Sequence, residues 1–231
     1  MYSFRNDYSE GAHPKVLQAL ADTNLRQTVG YGMDPCCQAA ADTIRRLCAA
    51  PDAAVHFLVG GTQVKLVTID AFLQSYEAVV AAQTGHVSTH ETGAIEATGH
   101  KVCTVESPDG KLTPALVESV LAGHNGTEHM VLPRMVYISD TTEIGTVYTR
   151  AELAALRQCC DVHGLFLYLD GARLGSALTF TGQSAVLEDR EQIEIVRQNF
   201  GFEPESGIRT VELNPEEEHY YLAVRRVETE E

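Results

Sequence analysis

Residues 165–175 read Leu-Phe-Leu-Tyr-Leu-Asp-Gly-Ala-Arg-Leu-Gly, and they constrain the fold more than any other stretch. The run 165–169 is apolar throughout, as expected of a strand buried on both faces of a parallel sheet. Asp170 then falls at the strand's carboxyl end, where open α/β sheets bind their ligands. A carboxylate there can hold a ring nitrogen protonated, and Arg173 can meet an anionic oxygen. A plainer assignment has Asp170 capping a following helix. On this stretch alone the two assignments stand level.

The rest of the chain alternates strand-like apolar runs with helical periodicity. Helices are expected over 13–27, with Pro14 in the first turn, and over 35–49, 62–73, 89–98 and 113–122. Another is expected over 150–163, closed by Gly164 in the left-handed conformation. Strands are expected over 54–59, 78–82, 101–105, 135–139 and 165–169. The alternation predicts an α/β fold, a three-layer, mostly parallel sheet with helices on both faces. Residues 179–184 read as a linker. Beyond it the pattern predicts a helix over 186–199 and two strands, 208–213 and 219–227, around an acidic turn. The expected division is a large-domain portion over 1–180 and a short α+β tail over 181–231.

A chain of 231 residues can fill one large α/β domain or two small ones. Seventeen basic and 32 acidic residues leave a net charge of −15. That field repels nucleic acid and anionic membranes, so both are discounted as partners. The acidity is uneven: residues 188–231 hold thirteen Asp or Glu and five Arg, with no Lys. No apolar run approaches the roughly eighteen residues of a membrane span. The first residues lack a basic start followed by an apolar core, so a cytoplasmic location is expected. Six cysteines include the adjacent pairs Cys36-Cys37 and Cys159-Cys160 and no Cys-x-x-Cys spacing. Reduced thiols are expected rather than a disulfide framework.

Several blocks accompany the 165–175 stretch. They are Phe4-Arg5-Asn6-Asp7-Tyr8-Ser9-Glu10-Gly11, Gly30-Tyr31-Gly32-Met33-Asp34-Pro35 and Phe57-Leu58-Val59-Gly60-Gly61-Thr62-Gln63. Further on come Gly85-His86-Val87, His90-Glu91-Thr92-Gly93, Glu96-Ala97-Thr98-Gly99-His100-Lys101 and Thr142-Glu143-Ile144-Gly145-Thr146. In this order and spacing the chain, from about residue 4 to 178, resembles the threonine aldolase and aromatic amino acid β-eliminating lyase family. The resemblance implies the aspartate aminotransferase fold and pyridoxal 5'-phosphate (PLP) as cofactor. It implies that Gly60, Gly61 and Thr62 bind the PLP phosphate at a helix N-terminus. It implies that His86 stacks on the pyridine ring, that Asp170 pairs with the ring nitrogen, and that Arg173 lies near the 3-oxygen and the substrate carboxylate. Asp7 and Tyr31 match N-terminal active-site segments that contact substrate or a partner subunit. Thr142 lies on the substrate rim where many threonine aldolases carry a histidine, which weakens the assignment of retro-aldol over β-elimination. A small amino acid is the implied substrate, and family members assemble as homo-oligomers. No metal site is expected. His86 and His90 have helical metal-ligand spacing, but His86 is expected to precede its helix.

The text after Leu178 is unlike the family, whose next segment carries the Schiff-base lysine. The chain holds only Lys15, Lys65, Lys101 and Lys111, none of them after Asp170. The position of Lys65 is commonly asparagine in the family. Lys65 lies one helical turn beyond Thr62, and its stem would have to fold back past the phosphate to reach the cofactor's aldehyde carbon. Three readings follow. The first is a PLP-dependent lyase that splits a β-hydroxy-α-amino acid such as threonine into glycine and an aldehyde, impaired by the missing lysine segment. The second is a non-catalytic, truncated or fused remnant. The third is an acidic tail that docks a protein partner.

Overall fold

The computed structural model describes residues 6–124, 126–181, 208–213 and 222–226, in two compact units. The first unit holds α1 (Pro14–Thr23) and α2 (Pro35–Leu47). Each opens on a proline, whose missing N–H is no loss in a first turn. The His13 and Asp34 side chains accept from first-turn N–H groups of α1 and α2.

The second unit, Leu58–Thr181, carries the sheet. Its elements run α3 (Gly61–Phe72), β1 (Glu77–Ala82), α4 (His86–Thr89), α5 (Ala94–Ala97), β2 (Val102–Val105), α6 (Pro114–Gly123), β3 (Leu132–Ser139), α7 (Arg150–His163), β4 (Phe166–Asp170) and α8 (Leu174–Thr181). The four strands pair in the order β2-β1-β3-β4, all parallel. The chain therefore leaves β1 in one direction and returns past it to build β3 and β4. That reversal is the place where an open α/β sheet leaves a crevice at its carboxyl edge.

Strand periodicity explains the two cores. Val79 and Ala81 of β1 join Met135 and Tyr137 of β3 on one face, beneath Ile69 and Leu73 of the α3 segment, Val87 and Ile95. Val80, Ala82, Val136 and Ile138 face the other way, against Val117 of α6 and Leu156, Cys159 and Cys160 of α7. Every residue of β1 is buried, as its apolar sequence requires. In α7 a complete capping box between Thr149 and Glu152 starts the helix, and Gly164 at φ 64° stops it.

The α/β layering matches the sequence expectation, and five details differ. The run expected to be buried on both faces forms β4 at the edge of the four-stranded sheet, with Phe166 and Leu169 exposed. Residues 54–59 form no strand; without a ladder partner among the described residues, an apolar run is not a strand. Of the helix expected over 89–98 only the single turn α5 forms, and Thr89 ends α4. The break falls at Thr92 and Gly93, which have φ values of 56° and 73°. His86 begins α4 instead of preceding a helix. The linker expected at 179–184 starts too early, because α8 continues to Thr181. The expected helix 186–199 lies outside the described residues. In the tail, β5 (Ile208–Leu213) and β6 (Leu222–Arg226) pair antiparallel as a separate two-stranded sheet. All six cysteines are free. Among the described residues no helix is long and apolar enough to cross a membrane.

Leu156 is fully buried between α7 and the sheet. Leu156→Ala is expected to lower the unfolding free energy by about 2–5 kcal/mol through lost transfer energy and the cavity left behind. Urea denaturation of the two proteins checks this.

Candidate active site

The carboxyl ends of three neighbouring strands deliver the polar groups. After β1 the chain turns at once into α4. A Cβ on Gly85 would lie 3.0 Å from the Ala82 carbonyl oxygen, so this close turn selects glycine. It places His86 at the sheet edge, where its N–H donates to Glu143 Oε1 at 2.8 Å. The Ser139 hydroxyl, at the end of β3, donates to the same oxygen at 2.6 Å. Glu143 thus ties the loop after β3 to the start of α4.

Asp170 closes β4. Its Oδ2 accepts from the Tyr137 hydroxyl at 2.6 Å, and its Oδ1 accepts from the Ala172 N–H at 3.1 Å. Tyr137 is 1% exposed and stacks on Tyr168 with ring centroids 5.2 Å apart. Burial, and then the bond to Asp170, push the Tyr137 hydroxyl pKa far above its ordinary value. Tyr137 is therefore a fixed donor to the carboxylate.

Lys65 sits at the centre of the arrangement. Its Nζ lies 2.9 Å from Glu91 Oε1 and 3.0 Å from Asp170 Oδ2, and its side chain is 7% exposed. Glu91 Oε1 also meets His86 Nδ1 at 2.5 Å. Burial disfavours the charge on Lys65, but hydrogen bonds with Glu91 and Asp170 outweigh it and hold the ammonium pKa above its ordinary value. Burial likewise opposes ionisation of Glu91, and bonds from Lys65, Thr62 and His86 overcome it. At Asp170 burial is outweighed by Tyr137 and Lys65. The result is one ammonium held between two ionised carboxylates.

The structure brings three of the expected blocks together around this lysine. A Cβ built on Gly61 would stand 3.4 Å from Lys65 Nζ, while Gly60 has open space beside it. Gly60 caps α3, so the first-turn N–H groups, which have no partner within the helix, start here. Thr62, in the first turn of α3, helps to lower the Glu91 pKa. His86 and Asp170 join through Glu91 and Lys65. Arg173 is exposed just before α8, and its carbonyl accepts from Ser176 and Ala177. Thr142 is buried and closes a turn, with its N–H on the Thr146 carbonyl and its hydroxyl 2.7 Å from the Thr146 hydroxyl. Asp7 and Tyr31 belong to the first unit and are exposed there, Tyr31 with φ 61°.

Lys65, Glu91 and Tyr137 are the residues that sequence reasoning did not assign to the site. Lys65 carried a signal, its place one helical turn beyond Thr62. Glu91 lay inside a quoted block without a role. Tyr137 had no signal, since a tyrosine in a buried strand reads as core.

The sequence profile described as beta-eliminating lyase matches residues 4–195. The chain is 36% identical over 183 residues to the low specificity L-threonine aldolase of Pseudomonas aeruginosa, across 78% of this chain and 52% of the relative. It is 28% identical over 181 residues to the low specificity L-threonine aldolase of Saccharomyces cerevisiae, across 77% and 46%. The chain thus spans about half the length of the curated relatives it matches. A solved structure of Leishmania major threonine aldolase is 56% identical and superimposes with a TM-score of 0.76, over 78% of this chain and 52% of that one. An aromatic aminotransferase from Pyrococcus horikoshii, 17% identical with a TM-score of 0.51 over 69% of this chain and 43% of that one, shares the fold.

The charges of the Lys65 cluster give stability a defined pH dependence. Folding lowers the pKa of Glu91 and Asp170, so their contribution is complete above the unfolded carboxylate range, about 4. It is lost as pH falls through the lower folded values. Folding raises the pKa of Lys65 above 10.5, so its contribution is complete below that value and is lost as pH rises through the folded one. Thermal melts between about pH 2 and 6 should show a smaller acid-induced fall in Tm for Glu91→Gln and Asp170→Asn than for the unaltered protein.

Proposed function

The chain belongs to the beta-eliminating lyase family, and from that premise we propose that residues 58–181 form the cofactor cradle of a PLP-dependent, threonine aldolase-like lyase. The observation that carries this reading is the convergence of Asp170, His86 and the first turn of α3 at the carboxyl edge of one parallel sheet. The donor set suits PLP at both ends. The first turn of α3, with open space at Gly60, offers backbone N–H groups and the positive end of the helix dipole to a phosphate. Asp170, held ionised by its partners, suits a protonated ring nitrogen. One feature conflicts with the fit: the Lys65 ammonium already lies on Asp170 Oδ2.

PLP, when bound, supplies an electron sink for cleavage of a bond to the substrate's α-carbon. The protein's part is to orient and to fix protons. Asp170 keeps its charge against burial, and Tyr137 holds that carboxylate in place with a permanent hydroxyl donor. His86, pinned by its backbone to Glu143 and by its ring to Glu91, flanks the ring seat. Arg173 receives the carboxylate of a small β-hydroxy amino acid. Thr142 takes part through its backbone turn, since its hydroxyl is engaged with Thr146.

A second reading, that this polypeptide is a non-catalytic remnant, draws on the lysine count. None of the four lysines follows Asp170. Lys65 reaches the cradle at the carboxylate that receives the ring nitrogen, and the aldehyde carbon lies across the ring from that nitrogen. We therefore expect the 231-residue polypeptide to bind PLP without turnover.

The test adds PLP to purified protein and follows binding by absorbance and equilibrium dialysis. Asp170→Asn is expected to weaken binding about tenfold or more, the worth of a charge-assisted hydrogen bond. Borohydride reduction with mass mapping should find no stoichiometric pyridoxyl lysine, and threonine should release no glycine. One stoichiometric adduct together with glycine release would show a working substitute lysine.

A further inference from the structure

The position of Lys65 decides what Asp170 can bind. Its Nζ occupies Asp170 Oδ2 at 3.0 Å and Glu91 Oε1 at 2.9 Å, in a side chain 7% exposed. The Tyr137 hydroxyl shares Oδ2 at 2.6 Å, and the Ala172 N–H takes Oδ1 at 3.1 Å. Both oxygens of the carboxylate are already engaged. A protonated ring nitrogen seeking Asp170 would meet an ammonium of the same sign, buried and with its own two anions. In a site shielded from water that repulsion is stronger than at an exposed surface.

Resting on the cofactor reading above, we propose that Lys65 is an internal competitor for the ring site: its ammonium stands in for the protonated ring nitrogen and keeps the cradle closed. The ammonium also stands beside the first turn of α3, where a Cβ on Gly61 would lie 3.4 Å from Nζ, so the competition concerns the ring nitrogen's carboxylate and not the backbone donors for the phosphate. Ring binding requires the Lys65 side chain to leave both carboxylates, so apparent affinity is scaled by the small fraction of molecules in which it has done so. The same geometry separates Lys65 from a Schiff-base role. An amine beside the ring nitrogen's partner cannot also reach a carbon on the far side of that ring. Asparagine at this position would keep a polar group near Glu91 without the cation or the reach.

The probe is pyridoxine 5'-phosphate, which has the ring nitrogen and phosphate but no aldehyde to react with surface lysines. Calorimetric titration compares the full chain with Lys65→Asn, Lys65→Arg and Lys65→Asn/Glu91→Gln. The double variant removes one of the carboxylates left facing each other, so a folded protein without the Lys65 cation is tested even if Lys65→Asn fails to fold; circular dichroism reports folding. Folded protein lacking the Lys65 cation is expected to bind at least about tenfold more tightly than wild type, as removal of a competing state requires. Lys65→Arg, which keeps the cation, should not tighten binding. A second readout needs no substitution: acetylation of Lys65 in wild-type protein should rise when the probe saturates the site. Unchanged or weaker binding by folded protein lacking the Lys65 cation, or saturation with no change in Lys65 acetylation, overturns the proposal. If wild-type binding still falls in Asp170→Asn, the cofactor reading survives that failure. If no folded variant binds the probe or PLP, the cofactor reading falls, and this inference with it.

Discussion

Burial of β1 on both faces is the constraint on which the second unit depends. Each of its residues is enclosed, Val79 and Ala81 under α3 and its neighbours, Val80 and Ala82 under α6 and α7. A strand with no solvent face must have its N–H and C=O groups paired on both edges, and β2 and β3 supply those partners. The parallel arrangement forces each connection to cross over a face, and the crossovers are the helices that complete the two cores. The carboxyl edge is then the one rim where loops from β1, β3 and β4 meet.

That rim explains how residues scattered along the chain become one site. His86 arrives by a turn so tight that Gly85 has no room for a side chain without moving the Ala82 carbonyl. Glu143 joins the β3 loop to the same turn. Asp170 is carried by β4, whose register sets Ser139 beside Asp170. Tyr137 then rises from the neighbouring strand to hold the carboxylate. The positions follow from strand pairing, so the polar groups inherit the rigidity of the sheet.

Charge within the site is governed by Lys65. Two carboxylates enclosed this near to each other would each resist ionisation. The ammonium between them reverses that, and both stay charged. A buried ion pair of this kind is weak evidence for stability, since desolvation offsets much of the attraction. Its consequence is chemical: the carboxylate best placed to bind a cationic ring nitrogen already holds a cation.

From its sequence alone the chain declared its layering, most of its elements and the motif blocks of its family. Those features depend on local periodicity and on residue types at fixed spacing, as with Gly164 ending α7 or the apolar run that became β4. Gly60, His86 and Asp170 could be named because each follows a strand-like run. Residues 54–59 misled, because an apolar run does not reveal whether a partner strand is present to pair with it. The late start of the helix expected over 89–98 was also hidden, for it rests on left-handed backbone at Thr92 and Gly93. Only the tertiary structure decided where Lys65, Glu91 and Tyr137 point. They are separated by 26 and 46 residues in the sequence, and nothing local tells a long flexible side chain which buried anion it will meet. That choice belongs to the packing of α3 against the sheet, which leaves the Lys65 ammonium enclosed beside two carboxylates.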